Sequence, residues 1–357
     1  MKIKLESLKE LVSKAIRGVG NNKMIPLTEL MGIEVKDGRL TLIVTDGSNQ
    51  LRVSEFIGEE YEDFYTVVKA ETFAKLVEKT TKKEVELNVV NDILEVKGNG
   101  TYKLPVTYGV DGNIIKFQDI PEIDGIFEEL NVNTLKTILN DARVSVAKTY
   151  DIPYLTGYYI GNKVLTTDVL VACNINKNIL AVPTLISSQM AFLLHLLTGE
   201  NVSLYRKDKM LLFKTNSEII YGKELDGVNE FQDKVIDAID GLINADTISG
   251  VIIKKDLIIS ALDRLSLFID SVVDNNAIKF ELVEGGLRLT SKATNAEEFI
   301  DLDPTGYQQF VCYLDIDMFK NHIQNTSTDL VEIHYGSDKF IKILDGNTTM
   351  IVSTVGV

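Results

Sequence analysis

The sequence predicts an α+β fold of three tandem, structurally similar domains, each with two helices packed on antiparallel β-sheets. One pattern of strand, helix and hairpin occurs three times, within residues 65–106, 179–225 and 310–355. A period this long, with little identity between the copies, indicates repeated domains and not a short-period solenoid. A third of the 357 residues is also a common size for one compact domain. The hairpin aspartates of the three copies lie 116 and 130 residues apart, at Asp92, Asp208 and Asp338.

The composition describes a folded, acidic protein. Hydrophobic residues make up 45% of the chain, the formal net charge is −15, and no run of twenty uncharged apolar residues would span a bilayer. The charged start, from Met1 to Glu6, argues against a secretory signal, so we expect a cytoplasmic protein. Cys173 and Cys312 lie in apolar, β-rich runs. We expect two buried, reduced thiols, because a structural zinc site needs about four soft ligands at short spacing.

Each copy also has a first half, in which a helix precedes a hairpin. Apolar residues recur at helical spacing over residues 5–19, 133–148 and 255–270, which predicts an amphipathic helix at each place. Every copy is therefore predicted to combine a helix with strands, twice over. The turns of these first hairpins are predicted at Lys36-Asp37-Gly38, Gly161-Asn162-Lys163 and Glu284-Gly285-Gly286.

A short phrase marks the junctions between the copies. Residues 117–119, Phe-Gln-Asp, recur as residues 231–233, 114 residues later. The acidic, isoleucine-rich segments that follow each phrase are loosely patterned, and we interpret them as connectors. The predicted domains are residues 1–123, 124–246 and 247–357.

The functional prediction rests on the basic residues of the outward helix faces. Lys75, Lys79 and Lys82 recur at helical spacing on the predicted second helix of the first copy, opposite its apolar face. A single lysine stripe is more often only a solvated face. Stripes on the helices of repeated domains, in an otherwise acidic chain, favour contact with phosphate groups without base recognition. The candidate DNA-binding residues are Lys14, Arg17, Lys75, Lys79, Lys82, Lys136, Arg143, Arg264 and Lys320.

Several short motifs resemble, in order and spacing, the β subunit of bacterial DNA polymerase III, the replicative sliding clamp. The resemblance covers all three predicted domains, and the Phe-Gln-Asp phrase stands where the family has Phe-Pro-Asp. The other matching motifs are Met24-Ile25-Pro26-Leu27 ahead of a hairpin that ends Val44-Thr45-Asp46, then residues 66–78, 151–157 and 165–168.

The resemblance implies a head-to-tail ring of two subunits whose helices face an enclosed DNA duplex. The replicative polymerase, the clamp loader and repair proteins would bind through short peptides. A closed ring leaves DNA only by opening or by sliding off an end, so modest electrostatic attraction would suffice, and an acidic exterior would discourage adhesion elsewhere. Closure implies pairing between two edge strands, which we expect at residues 102–106 and 277–281.

The family's peptide pocket, carried over residue by residue, would involve Leu155, Thr167, Leu170, Ile351 and Val352. A plain core role is an equal alternative for these residues. After Thr167 and the next aspartate, this chain has Val-Leu-Val where the family commonly has Gly-His-Arg-Leu, and it ends without a Met-Pro-rich tail. We therefore hypothesise a divergent clamp, encoded by a virus such as a phage or by a plasmid, with altered clients.

The sequence contains no evident catalytic constellation, and we expect neither enzymatic activity nor a cofactor or metal. His195, His322 and His334 show no metal-ligand spacing, and the glycine-rich spots lack a phosphate-loop lysine. Two alternatives stay open: an acidic, β-rich scaffold or assembly protein that does not bind DNA, and a carboxylate-dependent hydrolase. Loss from DNA after linearisation would favour the clamp, whereas metal-dependent turnover would favour the hydrolase.

Overall fold

The chain forms two compact units in a computed structural model that describes residues 1–20, 22–122, 126–149, 151–247, 249–270, 275–291, 293–302, 307–337 and 339–356. Unit 1 consists of Met1–Lys136 and Gln189–Glu224, and unit 2 of Thr137–Ser188 and Leu225–Val357. The predicted boundary between residues 123 and 124 and the hairpin residue Asp338 lie outside the described residues.

The helices of the described residues are short. A π-helical turn, Gln232–Ile236, joins the fifth helix to the sixth, so residues 228–244 form one continuous helical segment. The α-helices are α1 (Leu5–Ala15), α2 (Ala70–Lys79), α3 (Val132–Ala142), α4 (Ser188–Leu194), α5 (Val228–Phe231), α6 (Asp237–Asn244), α7 (Lys255–Ser266) and α8 (Ile316–Asn325).

Unit 1 contains two antiparallel sheets. Its strands are β1 (Lys2–Lys4), β2 (Leu30–Lys36), β3 (Arg39–Thr45), β4 (Asn49–Phe56), β5 (Phe64–Lys69), β6 (Glu84–Val90), β7 (Ile93–Lys97), β8 (Thr101–Pro105), β9 (Ile126–Asn131), β14 (Asn201–Lys207), β15 (Met210–Lys214) and β16 (Glu218–Lys223). The smaller sheet has the order β1-β6-β7-β8, and the larger has the order β5-β2-β3-β4-β16-β15-β14-β9. On β3, Leu40, Leu42 and Val44 are buried, because alternate residues of a strand point to the same face.

Unit 2 has the same two kinds of sheet. Its strands are β10 (Gly157–Ile160), β11 (Val164–Thr167), β12 (Val171–Ile175), β13 (Thr184–Ser187), β17 (Ser249–Lys254), β18 (Ala277–Val283), β19 (Gly286–Ser291), β20 (Glu297–Asp301), β21 (Phe310–Asp315), β22 (Leu330–Tyr335), β23 (Phe340–Asp345) and β24 (Thr348–Ser353). The orders are β20-β19-β18-β21 and β13-β10-β11-β12-β24-β23-β22-β17. Every residue of β10, β11 and β12 is buried, as expected for strands covered on both faces.

The strand order repeats along the chain. The groups β1-β6-β7-β8, β9-β14-β15-β16 and β17-β22-β23-β24 share one order, and the groups β5-β2-β3-β4, β13-β10-β11-β12 and β21-β18-β19-β20 share a second. The predicted α+β fold, with helices and antiparallel sheets in repeated units, is therefore confirmed.

The predicted hairpins are also present. Asn91 and Asp92 between β6 and β7, and Asp208 with its neighbour Lys209 between β14 and β15, all have positive φ values of 45° to 64°. Two consecutive left-handed residues form the tight turn that matches the twist of paired strands.

The first helix of each copy ends earlier than the sequence predicted. In copy one, the helix predicted over 5–19 ends at Ala15 and is followed by a 3₁₀ turn, Ile16–Gly18. The first helix of copy two, predicted over 133–148, gives way at Ala142 to a 3₁₀ turn, Arg143–Ser145, and the chain is extended at Val146, in a stretch of β-branched residues that disfavours a helix. The helix predicted over 255–270 ends at Ser266.

The structure contradicts two further expectations. The second connector is not loosely patterned, since residues 228–244 are helical. The segment 277–281 is not an edge strand, because it lies in β18, which pairs with β19 on one side and β21 on the other. The edges of that sheet are β20 and β21.

Candidate nucleic-acid and partner interfaces

The lysine stripe of the first copy extends past its helix. α2 ends at Lys79, because Thr80 is extended and donates its hydroxyl to the carbonyl of Leu76 at 2.8 Å. Lys82 therefore lies in the bend after the helix, and its placement on the helix was wrong. Lys79 and Lys82 are both exposed, so the carboxyl end of α2 still presents adjacent positive charges. Lys75 is exposed as well, with its amino group 2.5 Å from Glu71.

Lys14 belongs to a largely buried ion pair. Its Nζ lies 3.0 Å from Oε1 of Glu218, whose side chain is only 1% exposed, and 3.3 Å from Glu10. The hydroxyls of Thr198 and Thr215 also donate to the Glu218 carboxylate, at 2.6 and 2.5 Å. Burial opposes ionisation of Glu218, but these hydrogen bonds and the charge of Lys14 together lower its pKa. The Lys14 ammonium thus stabilises unit 1, and its contact with DNA stays a prediction.

The remaining predicted cations differ in whether a nearby carboxylate neutralises their charge. Arg17 and Arg143 are exposed on 3₁₀ turns, Lys136 is half-buried on α3, and none of the three pairs with a described carboxylate. Arg264 forms a two-bond contact with Glu298, with Nε and Nη2 each 2.7 Å from a carboxylate oxygen. Lys320 is paired closely with Asp263 of α7. The two predicted DNA-binding cations of the third copy, Arg264 and Lys320, are therefore largely neutralised.

The predicted partner residues converge in unit 2. Ala172 of β12 lies opposite Thr167 of β11 on one side and opposite Ile351 of β24 on the other. Val352 of β24 lies opposite Val171, the first residue after the turn that contains Leu170. Leu155 and Ile351 share one buried cluster. Of the five, only Leu170 is exposed.

The helical segment 228–244 covers this cluster. Phe231 is fully buried and stacks on Tyr159, with ring centroids 5.3 Å apart and planes 4° from parallel, and Ile239 joins the same cluster as Leu155 and Ile351. The carboxyl end of the segment is held by buried Lys342, which donates to the carbonyls of residues 243 and 245 at 2.8 and 2.7 Å. Helical spacing of Val228, Phe231, Val235, Ile239 and Leu242 was the signal that sequence reasoning missed.

The turn between β11 and β12 presents two apolar side chains in an unusual way. Val169 has φ 83° and is 70% exposed, and Leu170 beside it is 50% exposed. A β-branched residue with positive φ is an outlier, because its Cβ crowds the backbone. The turn is held by Thr167, whose hydroxyl donates to the carbonyl of Val171 at 2.6 Å and accepts from the amide of Val169 at 3.0 Å.

The first copy has the same turn with a glycine in place of the valine. The Thr45 hydroxyl donates to the carbonyl of Asn49 at 2.7 Å and accepts from the amide of Gly47 at 3.0 Å. Asp46 caps the amides of Ser48 and Asn49, as the equivalent aspartate of the second copy caps two amides. Gly47 has φ 100°, which costs glycine little.

One serine and one histidine meet in the interior of unit 2. Ser145 lies 2.8 Å from Nε2 of His322, and Nδ1 of His322 lies 2.7 Å from the carbonyl of Met318. Because a carbonyl only accepts, Nδ1 carries the proton and Nε2 accepts from the serine. Both side chains are buried, and burial lowers the pKa of His322. The pair fits a satisfied core contact and not an accessible nucleophile.

The two thiols point to a structural role too. Cys173 and Cys312 are free and buried, as predicted, and burial raises the pKa of Cys312 to about 12. Within the described ranges, no group of three or more His, Cys, Asp or Glu side chains could hold a metal ion. None of the helices in those ranges has the length and apolar character of a membrane span.

Solved structures share this fold over the whole chain. The sliding clamp of Pseudomonas aeruginosa bound to griselimycin has a TM-score of 0.87 at 14% identity, over 100% of this chain and 99% of that one. The DNA polymerase III subunit beta of Borrelia burgdorferi has a TM-score of 0.86 at 18% identity, with the same coverage. The clamp of Bacillus subtilis has a TM-score of 0.84 at 17% identity, over 100% of this chain and 98% of that one.

Sequence comparison reaches only part of the chain. No curated protein sequence matches it. Residues 1–111 match the family described as DNA polymerase III beta subunit, N-terminal domain. The resemblance found in the sequence is thus confirmed: the chain has the fold of the bacterial sliding clamps, and its first 111 residues match the N-terminal domain of the DNA polymerase III beta subunit family.

Proposed function

We propose that this protein is a DNA sliding clamp, a processivity factor that encircles duplex DNA as a homodimeric ring and tethers the replicative polymerase and other clients. The observation that carries the proposal is the agreement of the entire chain with the clamp fold. It acts in the cytoplasm as a non-enzymatic tether, loaded by a clamp loader. The low identity to the clamps of known structure supports a divergent member.

Three domains, residues 1–123, 124–246 and 247–357, form each subunit in this proposal. The support is the strand order, which repeats three times in each of two forms. Each eight-stranded sheet joins four strands from one copy to four from the next, which explains why the chain divides into two compact units and not three.

Ring closure would pair β8 of one subunit with β20 of the other. Each lies at the edge of a four-stranded sheet, where unpaired backbone groups invite another strand. The charges suit the match, since β8 carries exposed Lys103, and β20 carries exposed Glu297 and Asp301. The other candidate edge, β21, is partly covered, because the amide of Val355 donates to the carbonyl of Tyr313 at 2.9 Å.

Contact with DNA would rest mainly on cations without a local carboxylate partner. Lys79 and Lys82 supply adjacent charges at the end of α2, and Arg17, Lys136 and Arg143 add to them. The paired cations would contribute less, because a neighbouring carboxylate offsets their attraction for phosphate. A ring held by topology needs no more than this. The paired residues are Lys14, Lys75, Arg264 and Lys320.

Clients would meet the turn between β11 and β12. Leu155, Ile351 and Val352 lie buried around it, and exposed Leu170 offers apolar surface next to Thr167. With Leu155 and Ile351 beneath residues 228–244, a client would depend on the turn more than on a deep pocket. This supports altered clients.

One observation favours the alternative of an acidic scaffold protein that does not bind DNA. Four of the nine predicted DNA-binding cations are paired with carboxylates, which weakens the positive surface. A ring that holds DNA by topology and a scaffold that adheres by charge differ in their response to salt, because salt abolishes phosphate contacts but cannot unlink a closed ring.

The test uses that difference. Subunits are mixed with nicked circular DNA at a concentration low enough to keep them apart and are then concentrated, so that rings close around the duplex. The complex is washed in high salt and passed over a sizing column. The clamp predicts protein that stays with the circle. Complete release by salt, with a dimer of otherwise normal mass, would favour the scaffold.

A further inference from the structure

The first junction phrase leads onto a second surface of unit 1. Phe117 is buried against Ile43, on one face of the eight-stranded sheet. Arg52 lies opposite Ile43 in the ladder between β3 and β4, and therefore on that same face. The neighbouring residue Leu51 points to the other face, where Gly18, in the 3₁₀ turn that follows α1, packs against it. Arg52 thus faces away from α1.

A cavity of about 400 Å³ lies beside Arg52. Residues 120–122, which follow the junction phrase, line it and form no helix or strand, whereas the second junction lies in a helical segment. Its lining combines two cations, apolar side chains and one carboxylate: Arg52, Lys214, Tyr205, Leu212, Ile219 and Glu122.

Two cations line this cavity from one row of the sheet. Ile219 lies opposite Arg52 on one side and opposite Lys214 on the other, so the two side chains flank it on one face. Nη2 of Arg52 donates to the carbonyl of Gln118 at 3.0 Å. Its Nε is buried without an acceptor. Neither cation forms an ion pair with a carboxylate in the described part of the chain.

An aromatic row runs next to the cationic row. Leu212 lies two residues before Lys214 on β15, and so on the same face. Tyr205 lies opposite Leu212, and Phe127 lies opposite Tyr205. The two rings have centroids 5.3 Å apart, and Phe127 is 52% exposed. Apolar and cationic side chains thus meet at the cavity.

We propose that these residues, the Arg52 surface, bind a peptide segment of a partner protein in which a large apolar side chain lies next to a carboxylate. The carboxylate would lie between the ammonium of Lys214 and the guanidinium of Arg52, with which it would form charge-assisted hydrogen bonds. The apolar side chain would lie against Tyr205 and Phe127. An acidic peptide is the fitting partner because these cations stand unpaired in a chain of net charge −15.

The test measures peptide affinity by fluorescence anisotropy with the full chain. The probe is a labelled synthetic peptide containing Phe-Leu-Asp-Asp, and its twin carries Phe-Leu-Asn-Asn. We expect saturable binding of the acidic peptide, and binding of the twin weaker by about tenfold or more, as for loss of a hydrogen bond to a charged group. Lys214→Glu should weaken the acidic peptide by a similar factor, and Phe127→Ser should weaken both peptides.

Charge-matched controls locate the site. Lys4→Glu makes the same charge change on exposed β1 of the other sheet of unit 1 and should alter the affinity by less than about twofold. Methyl NMR signals of Ile219 and Leu212 should shift on binding. Absence of saturable binding to the wild-type chain, equal affinity for the two peptides, or an unchanged affinity of Lys214→Glu would overturn the proposal. The proposal would also be overturned if a thymidine oligonucleotide bound more tightly than the acidic peptide and were weakened as much by Lys214→Glu, since the surface would then bind nucleic acid.

Discussion

Val169 has the same hydrogen-bonded turn as Gly47, and a positive φ like that of the glycine, although it is β-branched. Strain of this kind costs about 1–3 kcal/mol and persists only where something compensates for it. The proposed client contact would account for the strained valine, because the turn presents the side chains of Val169 and Leu170 to solvent. Stability and partner binding should therefore oppose each other at this residue.

Val169→Gly should raise the free energy of unfolding by about 1 kcal/mol, since relief of strain exceeds the added entropy of the unfolded chain. Denaturant unfolding measures this change. The matched control is Gly47→Val, which places a branched side chain in the equivalent turn and should lower stability by a similar or larger amount. If Val169→Gly destabilises the protein, the turn is not strained.

The ion pair of Lys14 and Glu218 should matter for stability. Glu218→Gln keeps the shape but leaves the Lys14 ammonium with only exposed Glu10 for a partner, so we expect a loss of about 3 kcal/mol in the free energy of unfolding. Thr28→Ser, at another buried hydroxyl of unit 1, controls for a general effect of a conservative change there. A loss below about 1 kcal/mol would mean that the pair contributes little.

The stability of the protein in acid should reveal the lowered pKa of the Glu218 carboxylate. Its pKa in the folded protein is below the ordinary value of 4.5, so its contribution is fully present above pH 4.5 and is lost as the pH falls through the lower folded value. The stability of the wild-type chain should therefore fall more steeply in this acid range than that of Glu218→Gln. Parallel curves would contradict the lowered pKa.

Lys79 and Lys82, at and just after the end of α2, should contribute more to DNA retention than other exposed lysines of unit 1. Reversal of Lys79 and Lys82 to glutamate should speed the salt-dependent loss of DNA and reduce the number of ions released on binding by about two. The control reverses exposed Lys36 and Lys116, which makes the same change in net charge elsewhere in unit 1. Equal effects of both pairs would mean that only net charge matters.

Pairing between the edge strands β8 and β20 should determine the affinity of the dimer. Lys103→Glu on β8 should weaken association by about tenfold, because it replaces attraction by repulsion near both copies of the interface. Adding Glu297→Lys on β20 should restore much of the loss, and sedimentation equilibrium measures both. A dimer of unchanged affinity in the single variant would assign the interface to other strands.

Local patterns predicted most of the fold. Apolar spacing around Leu8 and Leu11 placed α1, and the turn residues Asn91 and Asp92 placed a hairpin, because both depend on near neighbours in the sequence. The basic stripe was less well predicted, since the length of α2 depends on how Thr80 bonds to the helix.

Long-range contacts could not be predicted in this way. Glu218 lies 204 residues from Lys14, and no local pattern reveals that their charges meet. The strand ladder, and not the composition of 277–281, decides which strand is an edge. The helix that covers Leu155 and Ile351 did leave a periodic signal, but its many aspartates made it resemble a connector.

The most direct measurement of the central claim is the lifetime of the protein on circular DNA before and after a single cut. Rings closed on a nicked circle are washed in high salt, the DNA is cleaved once at a distant site, and the bound fraction is followed by gel filtration. An encircling clamp predicts long retention on the circle and rapid loss once free ends appear. Equal lifetimes on circular and linear DNA would contradict it.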